Sequence, residues 1–135
     1  MIGILIVTHG NLGVEIIKSA ELIMGKQEKV ENLTLNLGDN IDSLKGQIKE
    51  KIESLSSDKD EVIVLTDLYG GSPSNAVLYN FKNFDFQSIA GVNLPMLLEL
   101  LSQRKIEKDL NKIVDNILNA GVSGIKSLNE EMKKM

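Results

Sequence analysis

Cysteine is absent from this 135-residue chain and histidine occurs once. Without thiols there are no disulfides and no thiolate metal sites, which fits a reducing compartment. One imidazole and scattered carboxylates offer no metal-ligand spacing, so neither a metal nor a cofactor is expected. Basic residues are outnumbered, 15 against 19 acidic, for a formal charge of -4. With no Lys/Arg-rich run, nucleic-acid binding is not expected. No segment approaches the ~18 apolar residues of a membrane span. The apolar stretch at the amino end is only about seven residues long, lacks a basic flank and runs into His9-Gly10, unlike a signal peptide. The expectation is one cytoplasmic domain over residues 1–135, with about 129–135 a frayed charged tail.

What the chain does contain is alternation. Residues 2–8 are nearly all apolar, as in a parallel strand covered on both faces. Residues 12–24 carry Ile16, Ile17, Ala20, Ile23 and Met24 at helical spacing and stop at Gly25. A weaker strand spans 30–35, and Asp39 or Asn40 caps a helix with the stripe Ile41, Leu44, Ile48, Ile52, Leu55. A third strand spans 61–66, and Ser72-Pro73 reads as an N-cap followed by a first-turn proline. A fourth strand spans 86–92. Asn93-Leu94-Pro95 opens a helix to about Leu101, and a last long helix holds Leu110, Ile113, Val114, Ile117 and Leu118. After Gly121, residues 125–128 read as a short strand. This is an α/β, doubly wound pattern: a mainly parallel four-stranded sheet with helices on both faces. The unpaired sheet edge and the extra strand suggest a homodimer made by strand exchange.

In such sheets the ligand crevice lies beyond the carboxyl ends of the strands. His9 stands at one such end, and Gly10 leaves backbone space beside it. Asp67 ends the third strand and is expected to hold one ring nitrogen of His9, leaving the other free to attack. By itself Asp67 suits an Asx-turn or a helix cap equally well. Gly70-Gly71-Ser72-Pro73 offers what an anion needs: close backbone approach at Gly71, the Ser72 hydroxyl, and helix-terminal amides from Gly71, Ser72 or Ser74 onward. The same segment is also a good plain turn. Thr8, Thr66, Tyr69 and Asn93 are further candidates for the pocket wall. A Ser72-His9-Asp67 hydrolase lacks the Gly-x-Ser-x-Gly elbow. A phosphoaspartate receiver would need acidic residues where Val7, Thr8 and His9 stand.

Three motifs in this order are similar to the enzyme IIA domain of the mannose-family (mannose/fructose/sorbose) sugar phosphotransferase system. They are Ile6-Val7-Thr8-His9-Gly10, the run Asp67-Leu68-Tyr69-Gly70-Gly71-Ser72-Pro73-Ser74-Asn75-Ala76, and Ile89-Ala90-Gly91-Val92-Asn93-Leu94-Pro95-Met96-Leu97. The resemblance runs essentially end to end. It implies a phosphotransferase in which the phosphocarrier protein HPr phosphorylates His9 on Nε2. The group then passes to a histidine of a IIB component, which phosphorylates the incoming sugar at the membrane IIC/IID permease. Asp67 matches the carboxylate that holds Nδ1, and Ser72 with nearby amides matches the phosphate cradle. Tyr69 stands where the family often has tryptophan, a change expected to alter the partner surface or pocket wall. The resemblance also implies the exchanged C-terminal strand. Two alternatives remain at this level: the phosphocarrier subunit of a dihydroxyacetone kinase, and a non-catalytic regulatory phospho-sensor. The Gly-Gly-Ser-Pro segment and the lack of a fused downstream domain favour the sugar system. Which sugar is carried is not written in this domain, which never needs to touch it.

Overall fold

Strand-helix alternation with long crossovers admits parallel strands and little else. The computed structural model describes all 135 residues, in two units, Met1–Val92 and Asn93–Met135. The first unit contains β1 (Gly3–His9), α1 (Leu12–Met24), β2 (Val30–Leu35), α2 (Ile41–Leu55), β3 (Val62–Thr66), α3 (Ser72–Tyr79) and β4 (Gln87–Ala90). The four strands are parallel, in the order β2-β1-β3-β4. The central pair β1 and β3 is buried at every position except His9, which explains their unbroken apolar runs. The edge strands β2 and β4 are mostly half-buried, and their sequences are correspondingly mixed.

The two-residue period of a strand sends alternate side chains to opposite faces. Leu5, Val7, Val62 and Val64 form one face, packed with Leu44, Ile48, Ile52 and Leu55 of α2 and with Ala76 and Val77 of α3. Each fully buried Leu or Ile there contributes about 1.5–3 kcal/mol. Ile4, Ile6 and Thr8 take the other face, where α1 comes in close. A Cβ on Gly13 would lie 3.3 Å from both Ile6 Cγ2 and Thr8 Oγ1. By the same alternation His9, two residues after Val7, belongs to the face of α2 and α3.

The second unit holds α4 (Leu94–Ile106), α5 (Leu110–Ser123) and α6 (Leu128–Met132). Asn93 caps α4 by accepting the Met96 N–H at 3.0 Å, and its amide donates to the Gly121 carbonyl at 2.9 Å. Glycine on α5 lets the two helices close together: a Cβ at Gly121 would meet Met96 Cε at 2.8 Å. Two expectations are corrected here. Helix α4 runs to Ile106 rather than ending near Leu101, its buried stripe continuing through a charged residue, Arg104. The strand expected over 125–128 is not formed. Residues 125–127 have no regular structure and α6 follows. The cause is local: the Ser127 hydroxyl accepts the Glu130 N–H at 3.2 Å, and Glu130 and Glu131 suit the positive end of a helix.

Candidate functional site

His9 is the last residue of β1, and its backbone N–H faces the side on which β3 has already ended at Thr66. The next residue, Asp67, supplies the missing acceptor with its side chain. Asp67 Oδ2 accepts the His9 backbone N–H at 3.0 Å and lies 2.8 Å from His9 Nδ1. Asp67 Oδ1 accepts the Leu68 N–H at 3.1 Å. An ionised carboxylate only accepts, so Nδ1 carries the ring hydrogen and the Nε2 lone pair is left free. The imidazole is 48% exposed while the carboxylate is 9% exposed. Burial pushes the Asp67 carboxyl up, but the His9 N–H, the His9 ring and its charge together hold it below the ordinary value.

The loop after Asp67 brings glycine against the ring. Gly70 takes φ +84, and a Cβ on Gly71 would lie 3.0 Å from His9 Cε1, the carbon between the two ring nitrogens. Helix α3 then begins with Gly71, not Ser72, as its N-cap, so Ser72 and Pro73 are the first two helical residues. The Ser72 hydroxyl is therefore not consumed in capping. Ser72 lines a cavity of about 450 Å³ with His9, Gly10, the loop 35–39 and Ile41. Pro73 has no N–H, which leaves the Ser72 and Ser74 amides as first-turn donors without intrahelical partners. A ring nitrogen with a free lone pair, a hydroxyl and a helix N-terminus thus border one open space, an arrangement suited to an anionic group on the ring.

Gly71→Ala tests this packing. Gly71 has φ -84 and ψ 170, which alanine adopts without strain. The fold should survive with an unchanged thermal midpoint, while the displaced ring should lose about 10-fold in any reaction it carries out. A variant as active as the parent would show that ring position is not critical.

Other candidate residues have other roles. Thr8 is fully buried and turned away from the cavity, its hydroxyl accepting the Gly13 N–H at 2.9 Å and donating to the Gly10 carbonyl at 3.3 Å. It closes the turn that follows His9, where Gly10 has φ +55. Thr66 and Tyr69 border a different cavity of about 170 Å³ with Ser74, Val77, Leu78, Phe81, Ser88 and Ala90. Asn93 spends its side chain on the α4 cap and the Gly121 carbonyl. The cavity wall from Leu35 to Asp39 is the part that sequence reasoning missed. Its signal was available: β2 is parallel to β1, so the loop after β2 emerges at the same edge as His9. Asp39 helps shape that loop by accepting the Asn36 N–H at 2.7 Å. No cluster of three potential metal ligands occurs. No helix is long and apolar enough to cross a membrane.

Known proteins resemble this chain in sequence and in fold. A family described as "PTS system fructose IIA component" matches residues 3–118. The mannose-specific EIIAB component of Escherichia coli K12 is 34% identical over 128 residues, covering 94% of this chain and 39% of that protein. This chain thus spans about two fifths of the length of that relative. The fructose-specific EIIA component of Bacillus subtilis is 26% identical across 100% of this chain and 92% of its own. The crystal structure of an EIIA component from Streptococcus agalactiae superposes with a TM-score of 0.86 and 31% identity, covering 96% of this chain and 99% of that one. The chain belongs to the mannose/fructose-type IIA family of the sugar phosphotransferase system.

Proposed function

We propose that the chain is a phosphoryl carrier: His9 Nε2 accepts a phosphoryl group from phospho-HPr and delivers it to a histidine of a IIB component. The observation that supports this most directly is the His9 Nδ1 to Asp67 Oδ2 contact of 2.8 Å, which directs the free lone pair away from the carboxylate. In the loading step that lone pair attacks the donor's phosphorus. A new N–P bond forms, the donor's N–P bond breaks, and its electron pair returns to the donor imidazole. Unloading is the same exchange in reverse, with the IIB histidine as nucleophile. Nδ1 keeps its hydrogen throughout, and Asp67 balances the positive charge that develops on the ring. Ser72 and the first-turn amides of α3 stabilise the phosphoryl oxygens. Such a transfer needs alignment and charge stabilisation more than covalent help.

The test is incubation with phosphoenolpyruvate, enzyme I and HPr, followed by mass spectrometry. One acid-labile, base-stable phosphoryl adduct is expected, and absence of any adduct would sink the proposal. Chelators should leave transfer from purified phospho-HPr unchanged, since no cation is called for beside His9. The isolated step matters because enzyme I of this system needs magnesium. A strict metal requirement in that step would point to different chemistry.

The proposal extends to a cytoplasmic homodimer. Ile125, Leu128 and Met132 are each more than 70% exposed in the single chain, with relative accessibilities of 75%, 79% and 73%. Apolar side chains so placed are suited to a partner. Light scattering should return twice the chain mass, and truncation after Gly124 should reduce it. A full-length monomer would contradict this assembly.

A further inference from the structure

Ser74 has a role that its place in the first turn of α3 does not suggest. Its side chain is turned inward, with the residue only 5% exposed, and its hydroxyl donates to the Leu68 carbonyl. A serine hydroxyl has a single hydrogen, so the 2.8 Å contact with Thr66 Oγ1 runs the other way, with Thr66 donating to Ser74. Thr66 is itself 1% exposed and is the last residue of β3. The chain continues outward through the same backbone. The Leu68 N–H donates to Asp67 Oδ1, and Asp67 Oδ2 holds both the backbone N–H and Nδ1 of His9. Thr66, Ser74, Leu68, Asp67 and His9 are thus joined end to end by hydrogen bonds.

We infer that Ser74 is a positioning residue for the His9 imidazole, acting through Leu68 and the Asp67 carboxylate rather than on any bound group. This rests on the phosphoryl-carrier reading for its functional consequence, though not for its structural one. The physical case is one of constraint. Asp67 lies in a loop just past the end of its strand, where no ladder partner fixes its direction. Leu68 is gripped at both of its backbone groups, the N–H by Asp67 and the C=O by Ser74. Removing the Ser74 hydroxyl leaves the Leu68 carbonyl and the nearly buried Thr66 hydroxyl without these partners, a situation that favours rearrangement. The loop that rearranges is the one carrying Asp67. The assignment also divides two serines that look equivalent in sequence: Ser72 lines the cavity, and Ser74 has spent its hydroxyl inward.

The single histidine makes the test direct, because every imidazole signal in the protein belongs to His9. Nitrogen NMR of the ring at neutral pH should show the Nδ1–H tautomer dominant in the parent chain. In Ser74→Ala the Nε2–H tautomer should gain population. Transfer from phospho-HPr should fall about 10-fold in kcat with KM for the donor unchanged, the scale seen when a partner that orients a histidine is lost. Thr66→Val, which removes the donor but leaves Ser74 bonded to Leu68, should shift the ring signals the same way by a smaller amount. It decides the matter if Ser74→Ala does not fold. Ring signals identical to the parent in either folded variant overturn the inference. Because the ring spectrum needs no phosphoryl donor, a parent chain that HPr fails to label would refute the carrier reading while leaving this coupling to stand or fall on the NMR alone.

Discussion

His9→Ala is expected to bring phosphoryl labelling to background while leaving the fold intact. The ring is 48% exposed and contributes nothing to the packed face of the sheet, so its removal should cost little stability. It is also the only imidazole in the chain, so no neighbour can take over. The carboxylate in direct contact with the ring is that of Asp67, and an acylphosphate there would be labile in base, opposite to a phosphohistidine. Labelling of His9→Ala at the parent level would overturn the assignment outright. A base-labile adduct would redirect it to the carboxylate.

The second large effect belongs to Asp67→Ala. Without the carboxylate, the His9 backbone N–H loses its acceptor and the ring loses the contact that fixes its tautomer. Transfer should fall about 10- to 100-fold, as when a ligating histidine loses its carboxylate partner. The unfolding midpoint at neutral pH should change far less. A pH series gives an independent readout. The Asp67 carboxyl is held below its ordinary value of 3.8 in the folded chain. A depressed carboxyl contributes stability that is complete above the unfolded value and disappears as pH falls through the folded one. The parent should therefore lose stability below about pH 4, in part through Asp67, and Asp67→Ala should show a shallower acid limb. Parent-like transfer rates in this variant would reduce Asp67 to a turn residue.

What could be read from sequence followed the strength of the physical signal. The central strands were visible because burial on both faces demands unbroken apolar runs, and the helix over Leu12–Met24 because Gly25, at φ 85, stops it. His9 and Asp67 were visible as candidates because both stand at carboxyl ends of such strands. The end of the helix containing Arg104 was not, since a charged residue on the buried stripe breaks the hydrophobic count. The misread strand at 125–128 shows two local rules in competition. Ile125 and Leu128 flank a short polar pair and suggested a strand, but their spacing of three is not strand alternation, and Ser127 followed by Glu130 is a helix-start signal that prevails in the single chain. Ser72 and Ser74 marked the limit for the site itself. A spacing of two residues does not reveal that one serine lines a cavity while the other's hydroxyl bonds inward.

The parallel sheet has a practical consequence. Every strand runs the same way, so the chain enters β1 at the edge opposite His9. Seven residues of strand separate the two, about 20 Å at ~3.3 Å per residue. A fluorophore or a surface linker attached ahead of Gly3 would leave the carrier face open to large partners in solution. The cost is the contact between the Met1 ammonium and Asp60 at 3.2 Å, and Lys29 already occupies the other oxygen of that carboxylate. Exposed ion pairs of this kind add little to stability. Immobilisation through that end should therefore yield a sensor chip on which the loading and unloading partners can be compared on one oriented layer.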